Sequence, residues 1–138
     1  MMPTNTKKIA EIDPAVEVFT KACPLFVPLI EEKWIKRPET RKIARTYLRE
    51  LKLRKVDTLL LGCTHYPLIE KIISGVMGRR TKAIASGKKL AKKLKERLKD
   101  QKKGDDEYFV SDLTDHFEKL AESIIGKKVK IEKIKLKN

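Results

Sequence analysis

The run Val56-Asp57-Thr58-Leu59-Leu60-Leu61-Gly62-Cys63-Thr64-His65-Tyr66-Pro67 decides how this chain is read. Val56 and the three leucines suit a parallel strand covered on both faces, and Gly62 then permits a tight turn. That turn presents a cysteine, a threonine and a histidine at the strand's carboxyl end, the edge where open α/β sheets bind ligands. A helix opening near Pro67 would aim free backbone N–H groups at the same spot, where they favour a thiolate and hold a carboxylate.

Each residue of the turn also has a plainer reading. A cysteine beside an apolar strand is often a small buried hydrophobe. Thr64 before a helix reads as an N-cap, and one histidine near one cysteine is by itself a weak pattern. Together they make a candidate reaction site, in which His65 stabilises or protonates the Cys63 thiol from the same turn.

Outward from this strand the chain alternates. Val16 to Thr20 suits a short strand entering a turn at Cys23, Pro28 to Trp34 a short helix, and Pro38 opens a longer helix through about Leu53. After strand 56–61, a helix from about Pro67 to Val76 ends near Gly78, and residues 81–85 form another strand. A lysine-rich helix, a strand at 107–110, a helix from about Leu113 to Ile125 closed by Gly126 and a final strand Val129 to Leu136 complete the order. This alternation predicts an α/β fold with a largely parallel sheet. Residues 1–7 read as a disordered leader.

A chain of 138 residues with two cysteines has room for one core. With no signal peptide and no apolar run near a membrane span, it reads as a soluble, cytoplasmic protein with reduced thiols. The cysteines form no Cys-x-x-Cys pair, and two histidines do not complete an ordinary zinc site, so no metal is implied. Cys23, before Pro24 in an apolar segment, reads as structural.

The net charge is +14, and much of it is local: residues 82–103 hold ten Lys or Arg against Glu96 and Asp100. Leu90, Leu94 and Leu98 recur every four residues, so the segment reads as an amphipathic helix with a narrow apolar stripe and a cationic outer face. A solvated face is the common meaning of such a run, and a lysine-rich surface also fits a heat-adapted organism. Specific nucleic-acid recognition is disfavoured: aromatics do not interleave with the basic run, and no helix-turn-helix or zinc motif occurs.

At Gly62 to Pro67 the chain resembles the glutamate racemases of the aspartate/glutamate racemase superfamily, whose second catalytic cysteine lies in a Gly-Cys-Thr-His-Tyr-Pro turn. Ala22-Cys23-Pro24-Leu25-Phe26-Val27-Pro28-Leu29-Ile30-Glu31 is similar to a second family segment, and Tyr108-Phe109-Val110-Ser111-Asp112 followed by Phe117 to a weaker one. The resemblance covers most of residues 8 to 136. It implies a partial racemase-like fold and cofactor-free inversion of glutamate at its α-carbon, the product D-glutamate feeding peptidoglycan synthesis. By carry-over Cys63 and His65 are catalytic, while Thr64 and Glu31 bind substrate; Glu31 also reads as a first-turn helix carboxylate. His65 after Thr64 favours glutamate over aspartate.

Two departures stand beside the match. The family's N-terminal half, with an Asp-Ser motif and a first catalytic cysteine in a Cys-Asn-Thr-Ala turn, has no counterpart here, so the resemblance is to the C-terminal half only. Ala85 stands where racemases usually carry an Asp. By the same carry-over, residues 8–78 belong to lobe two and residues 79–138 would complete lobe one, neither being a full domain. Apolar surface left bare in this way calls for a separate N-terminal half, a homo-oligomer, or a collapse of the two pieces onto each other. A twofold dimer would set two Cys63 thiols face to face only if its axis crosses the site. Three function classes follow: a racemase half active with a partner, a non-catalytic relic or basic binding module, and, disfavoured, a nucleic-acid-binding protein.

Overall fold

The computed structural model describes residues 4–98 and 104–135. The decisive stretch forms β1 (Thr58–Leu61), which pairs in parallel with β2 (Lys82–Ala85), Thr58 opposite Lys82 through Leu61 opposite Ala85. The crossover between them runs through a 3-10 turn, Tyr66–Ile69, into α4 (Glu70–Met77), and ends at Gly78. Gly78 has φ +94°, a conformation that costs a side-chain-bearing residue energy. The return is clamped by the Thr81 hydroxyl, which donates to the Val56 carbonyl at 2.8 Å.

Before the sheet come α1 (Thr4–Ile12), α2 (Phe26–Glu31), a 3-10 turn at Trp34–Lys36, and α3 (Pro38–Leu53). Proline at the first position of α3 gives up an N–H that a helix leaves unpaired there in any case. Thr40, Ala44, Leu48 and Leu51 are buried, one stripe at helical spacing. That stripe packs with α4, and Phe26, Ile30, Leu61, Ile69 and Ile73 are among the residues that share its core. Burying side chains of this size contributes about 1.5–3 kcal/mol each. The one polar group in the stripe, the Thr40 hydroxyl, donates to the Trp34 carbonyl at 2.7 Å. Phe26 meets the rings of Tyr47 and Tyr66 edge-on, with centroids 5.4 Å away in both pairs.

The remainder is α5 (Ser86–Arg97), then β3 (Tyr108–Val110), α6 (Asp115–Ile125) and β4 (Ile131–Lys133). The Thr114 hydroxyl caps α6 by accepting from the Phe117 N–H, acidic residues fill its first turn, and Gly126 at φ +81° closes it. β3 and β4 pair in parallel around this helix. No helix among the described residues is long and apolar enough to cross a membrane.

The α/β architecture with parallel pairing is as expected, but among the described residues the strands divide between two separate two-stranded sheets. The short return at Gly78 lays β2 directly beside β1. Residues 16–20 are not a strand, having no neighbouring chain to pair with among the described residues. Phe19 instead packs on the core with the Arg54 guanidinium 4.5 Å above its ring. The expected helix at Pro28 begins at Phe26 and stops at Glu31, since Lys33 turns left-handed at φ 58°. Of the expected leader, residues 4–7 lie in α1, and Thr6 is buried; residues 1–3 lie outside the described residues. The lysine-rich segment is helical to Arg97, and residues 99–103 of it, like Leu136 of the last strand, lie outside the described residues.

β1 is covered on one face rather than two. Leu61 is buried, but Leu60, which points to the other side of the sheet, is 46% exposed. From Ser86 onward no described residue is buried at all.

Candidate active site

Cys63 lies two residues beyond the end of β1 and is partly buried. Residues 63–65 form a bend that leads into the 3-10 turn, so α4 itself starts only at Glu70. The helix expected to open near Pro67 is therefore preceded by a tighter turn, held by the Tyr66 N–H donating to the Cys63 carbonyl at 3.3 Å and the Leu68 N–H to the His65 carbonyl at 3.0 Å. His65 rather than Thr64 occupies the cap position, with no side-chain capping bond. Gly62 is not left-handed, so backbone freedom is not what this glycine supplies.

The site is a chain of three side chains. Cys63 Sγ is 3.9 Å from His65 Nδ1, and His65 Nε2 is 3.4 Å from Glu31 Oε1. Thr64 Oγ1 also approaches His65 Nδ1, at 3.4 Å. Glu31 thus faces one ring nitrogen at ion-pair distance, while the other faces both the Cys63 thiol and the Thr64 hydroxyl. The thiol contact is long, as such contacts are before substrate tightens them. Chemically, this array can take up or release one proton at sulfur.

Glu31 ends α2, so it is not the first-turn helix carboxylate that its sequence also allowed. A carboxylate at a helix C-terminus gains nothing from the helix dipole, and its partner is the imidazole. All four expected residues, Glu31, Cys63, Thr64 and His65, are thus brought together. Ala85 is buried beside Leu61 at the same sheet edge, where its methyl offers no charge.

Tyr66 was missed by sequence reasoning, although it stands beside His65 in the motif. Its hydroxyl donates to the Cys23 carbonyl at 3.3 Å and its ring packs on Phe26, so it ties the two motif segments together. Burial first, then the neighbouring Cys23 and Cys63 thiols and the Tyr47 hydroxyl, push the Tyr66 phenol above its ordinary range and keep it a donor. Cys23 is buried, its Sγ 3.7 Å from the Lys21 carbonyl, and burial raises its thiol despite the opposing pull of Lys21. That environment suits packing rather than nucleophilic chemistry.

Among the described residues no group of three or more His, Cys, Asp and Glu is placed to hold a metal ion. Two clefts, one between α6 and residues 128–130 and one between α3 and α4, are lined by neither Cys63 nor His65.

No protein-family model matches the chain. Glutamate racemase 2 of Caldanaerobacter subterraneus subsp. tengcongensis is 42% identical over 127 residues, which cover 88% of this chain and 48% of that protein. A glutamate racemase isoform from Bacillus anthracis is similar in structure with a TM-score of 0.84 at 27% identity, covering 95% of this chain and 52% of that one. The glutamate racemase of Francisella tularensis subsp. tularensis, solved in complex with D-glutamate, gives a TM-score of 0.80 at 25% identity over 94% of this chain and 51% of that one. The chain spans about half the length of the relatives it matches.

Proposed function

We propose, since this chain is a relative of the glutamate racemases over about half of their length, that it supplies one catalytic face of a cofactor-independent glutamate racemase. The Cys63 thiolate removes the α-proton of glutamate from one face, His65 takes up and returns the thiol proton, and Glu31 holds the imidazole in the accepting tautomer. Thr64 and backbone N–H groups of the turn bind a substrate carboxylate. Inversion needs a second proton donor on the opposite face, which comes from another polypeptide segment. The product, D-glutamate, serves peptidoglycan synthesis in the cytoplasm, and the lysine-rich surface reflects heat adaptation.

The observation that carries this reading is the alignment of Cys63, His65 and Glu31 within 3.9 Å steps at the carboxyl end of β1. It is supported by D-glutamate being the ligand named with one structural relative. The test is α-proton exchange of L-glutamate in deuterated water, with and without a complementing racemase half, and with Cys63→Ala as control. Exchange without inversion in the chain alone, lost on substitution, is the expected result. No exchange in either setting would sink the catalytic reading and leave the second one, a non-catalytic module, which the uncharged Ala85 at the same sheet edge favours.

A further inference from the structure

The cleft between α3 and α4 has a volume of about 610 Å³, inside the range of roughly 300–1,000 Å³ that small-molecule sites occupy. Arg45, Arg49 and Lys52 stand at helical spacing on one face of α3 and line it, and Lys55 joins them from the turn after the helix. No carboxylate lines the cleft. Glu50 of α3 is drawn off to Lys21 at 3.5 Å and Arg54 at 3.4 Å, and Glu70 of α4 to Lys88 at 2.6 Å. Among the described residues, none of the four cations is in an ion pair.

A cationic row on an exposed helix is ordinarily a solvated face, and cations near a helix C-terminus also answer the helix dipole. The dipole accounts for Lys52, whose ammonium donates to the Val76 carbonyl at 2.8 Å, but Arg45 and Arg49 lie before the last turn of α3. Like charges four residues apart repel, and no carboxylate in the cleft offsets that cost. Two further features are ones that internal packing does not require. Gly75 lies inside α4, where glycine weakens a helix, yet a methyl at that position would meet nothing within 4 Å. Its missing side chain leaves α4 backbone bare on the cleft. Lys55 is left-handed at φ 54°, in the position after a helix that glycine takes at least cost. Lys33 adopts the same conformation and gives its ammonium to the Lys119 carbonyl at 3.2 Å, whereas the Lys55 ammonium has no hydrogen-bond partner among the described residues.

The chemistry of an occupant follows from these groups. Guanidinium forks match the paired oxygens of a carboxylate or a phosphate. A single carboxylate would answer one of the four cations, whereas a diphosphate ester carries about −3 near neutral pH. Leu53, 71% exposed on the same cleft, and the bare backbone at Gly75 offer an apolar wall for an organic part. Arg45 to Lys52 spans about 10 Å of helix, the reach of one small molecule rather than of a polymer. We infer that the α3–α4 cleft binds a small organic diphosphate, its phosphates among Arg45, Arg49 and Lys55 and its organic part against Leu53 and the Gly75 backbone. The inference is independent of the racemase reading, since the cleft contains none of the residues assigned to proton transfer.

The test titrates the full chain with ADP as the probe, by calorimetry. One-to-one binding with a Kd on the order of 100 µM or tighter is expected, weakened roughly tenfold in Arg49→Ala and roughly tenfold for inorganic pyrophosphate, which lacks the organic part. Gly75→Leu separates a built cleft from a charged surface. Leucine favours a helix over glycine, so fold and charge are kept while the cleft is filled, and binding should fall by roughly tenfold or more. Lys92→Ala on α5 removes the same charge outside the cleft and should leave binding unchanged. No binding at about 1 mM would overturn the inference. So would binding undiminished by Gly75→Leu, equal losses in Lys92→Ala and Arg49→Ala, or pyrophosphate bound as tightly as ADP. Displacement of ADP by a single-stranded oligonucleotide at equal phosphate concentration would overturn it too, assigning the cations to a diffuse field for polyanions.

Discussion

The Tyr66 hydroxyl reaches across 43 residues of sequence to donate to the Cys23 carbonyl at 3.3 Å. That bond joins the turn carrying the thiol and imidazole to the segment carrying Glu31. Tyr66→Phe keeps the edge-on packing with Phe26 and removes only the bond, so it should cost about 0.5–1.5 kcal/mol in a urea titration. A change of more than about 3 kcal/mol would instead indicate lost packing.

The imidazole link predicts a graded loss of chemistry. Glu31→Gln keeps a polar group of the same shape facing His65 Nε2 but removes the charge, whereas Glu31→Ala removes both. Glutamate α-proton exchange should fall by roughly tenfold in the first and a hundredfold in the second, with His65→Ala at or below the lower value, as for loss of a proton-transfer partner. Glu31 and His65 are both partly exposed, so thermal stability should stay within about 0.5 kcal/mol. Equal rates in all three variants would detach the array from the chemistry.

The two thiols should separate under alkylation. Cys23 is buried and its pKa is raised by that burial, whereas Cys63 is partly open. Iodoacetamide at neutral pH should label Cys63 first, read by peptide mass, with Cys23 labelled only on unfolding. The same shift has a sign in stability. The folded state holds the Cys23 proton more tightly than the unfolded chain does, so this contribution is full below about pH 9 and is lost as pH rises through that range. Cys23→Ala should flatten that alkaline slope, whatever its packing cost at neutral pH.

The outlying β3–β4 sheet offers an acid-side counterpart. Lys133, paired in register with Val110, donates from Nζ to Asp112 Oδ1 at 2.7 Å, and this hydrogen bond, with the lysine's charge, lowers the Asp112 carboxyl. Its contribution is present above the ordinary carboxylate range and is lost as pH falls through the lowered value, in contrast to Cys23. Lys133→Met should move the Asp112 titration, followed by NMR, upward to the ordinary value. An unmoved titration would mean that the pair is not formed in solution, the common fate of exposed ion pairs.

Much of this was legible in the residues. Pro38 as a helix start, Gly78 and Gly126 as stops and the apolar run at β1 each report a local preference that the fold kept. The site motif was legible for the same reason, because Cys63, Thr64 and His65 are neighbours in sequence. Glu31 was ambiguous because its partner lies 34 residues away, as judged from the positions of Glu31 and His65. Val16 to Thr20 shows the limit from the other side: its composition suits a strand, but strand formation needs a second chain, and pattern alone does not say whether one is there. The full cover expected over β1 failed similarly, for Leu60 is as apolar as Leu59 and only the neighbouring layers decide which is buried.

The uneven core makes the last prediction. Every buried residue of the core cluster lies between Cys23 and Ala85, and none of the described residues from Ser86 onward is buried. Ile73→Ala, at 1% exposure, should cost about 2–5 kcal/mol, whereas Leu94→Ala should cost under about 0.5 kcal/mol. Amide exchange should show strong protection in α3 and α4 and weak protection in α5 and α6, because local stability follows buried apolar contact. Protection in α5 equal to that of α3 would mean that the leucine stripe is covered in solution.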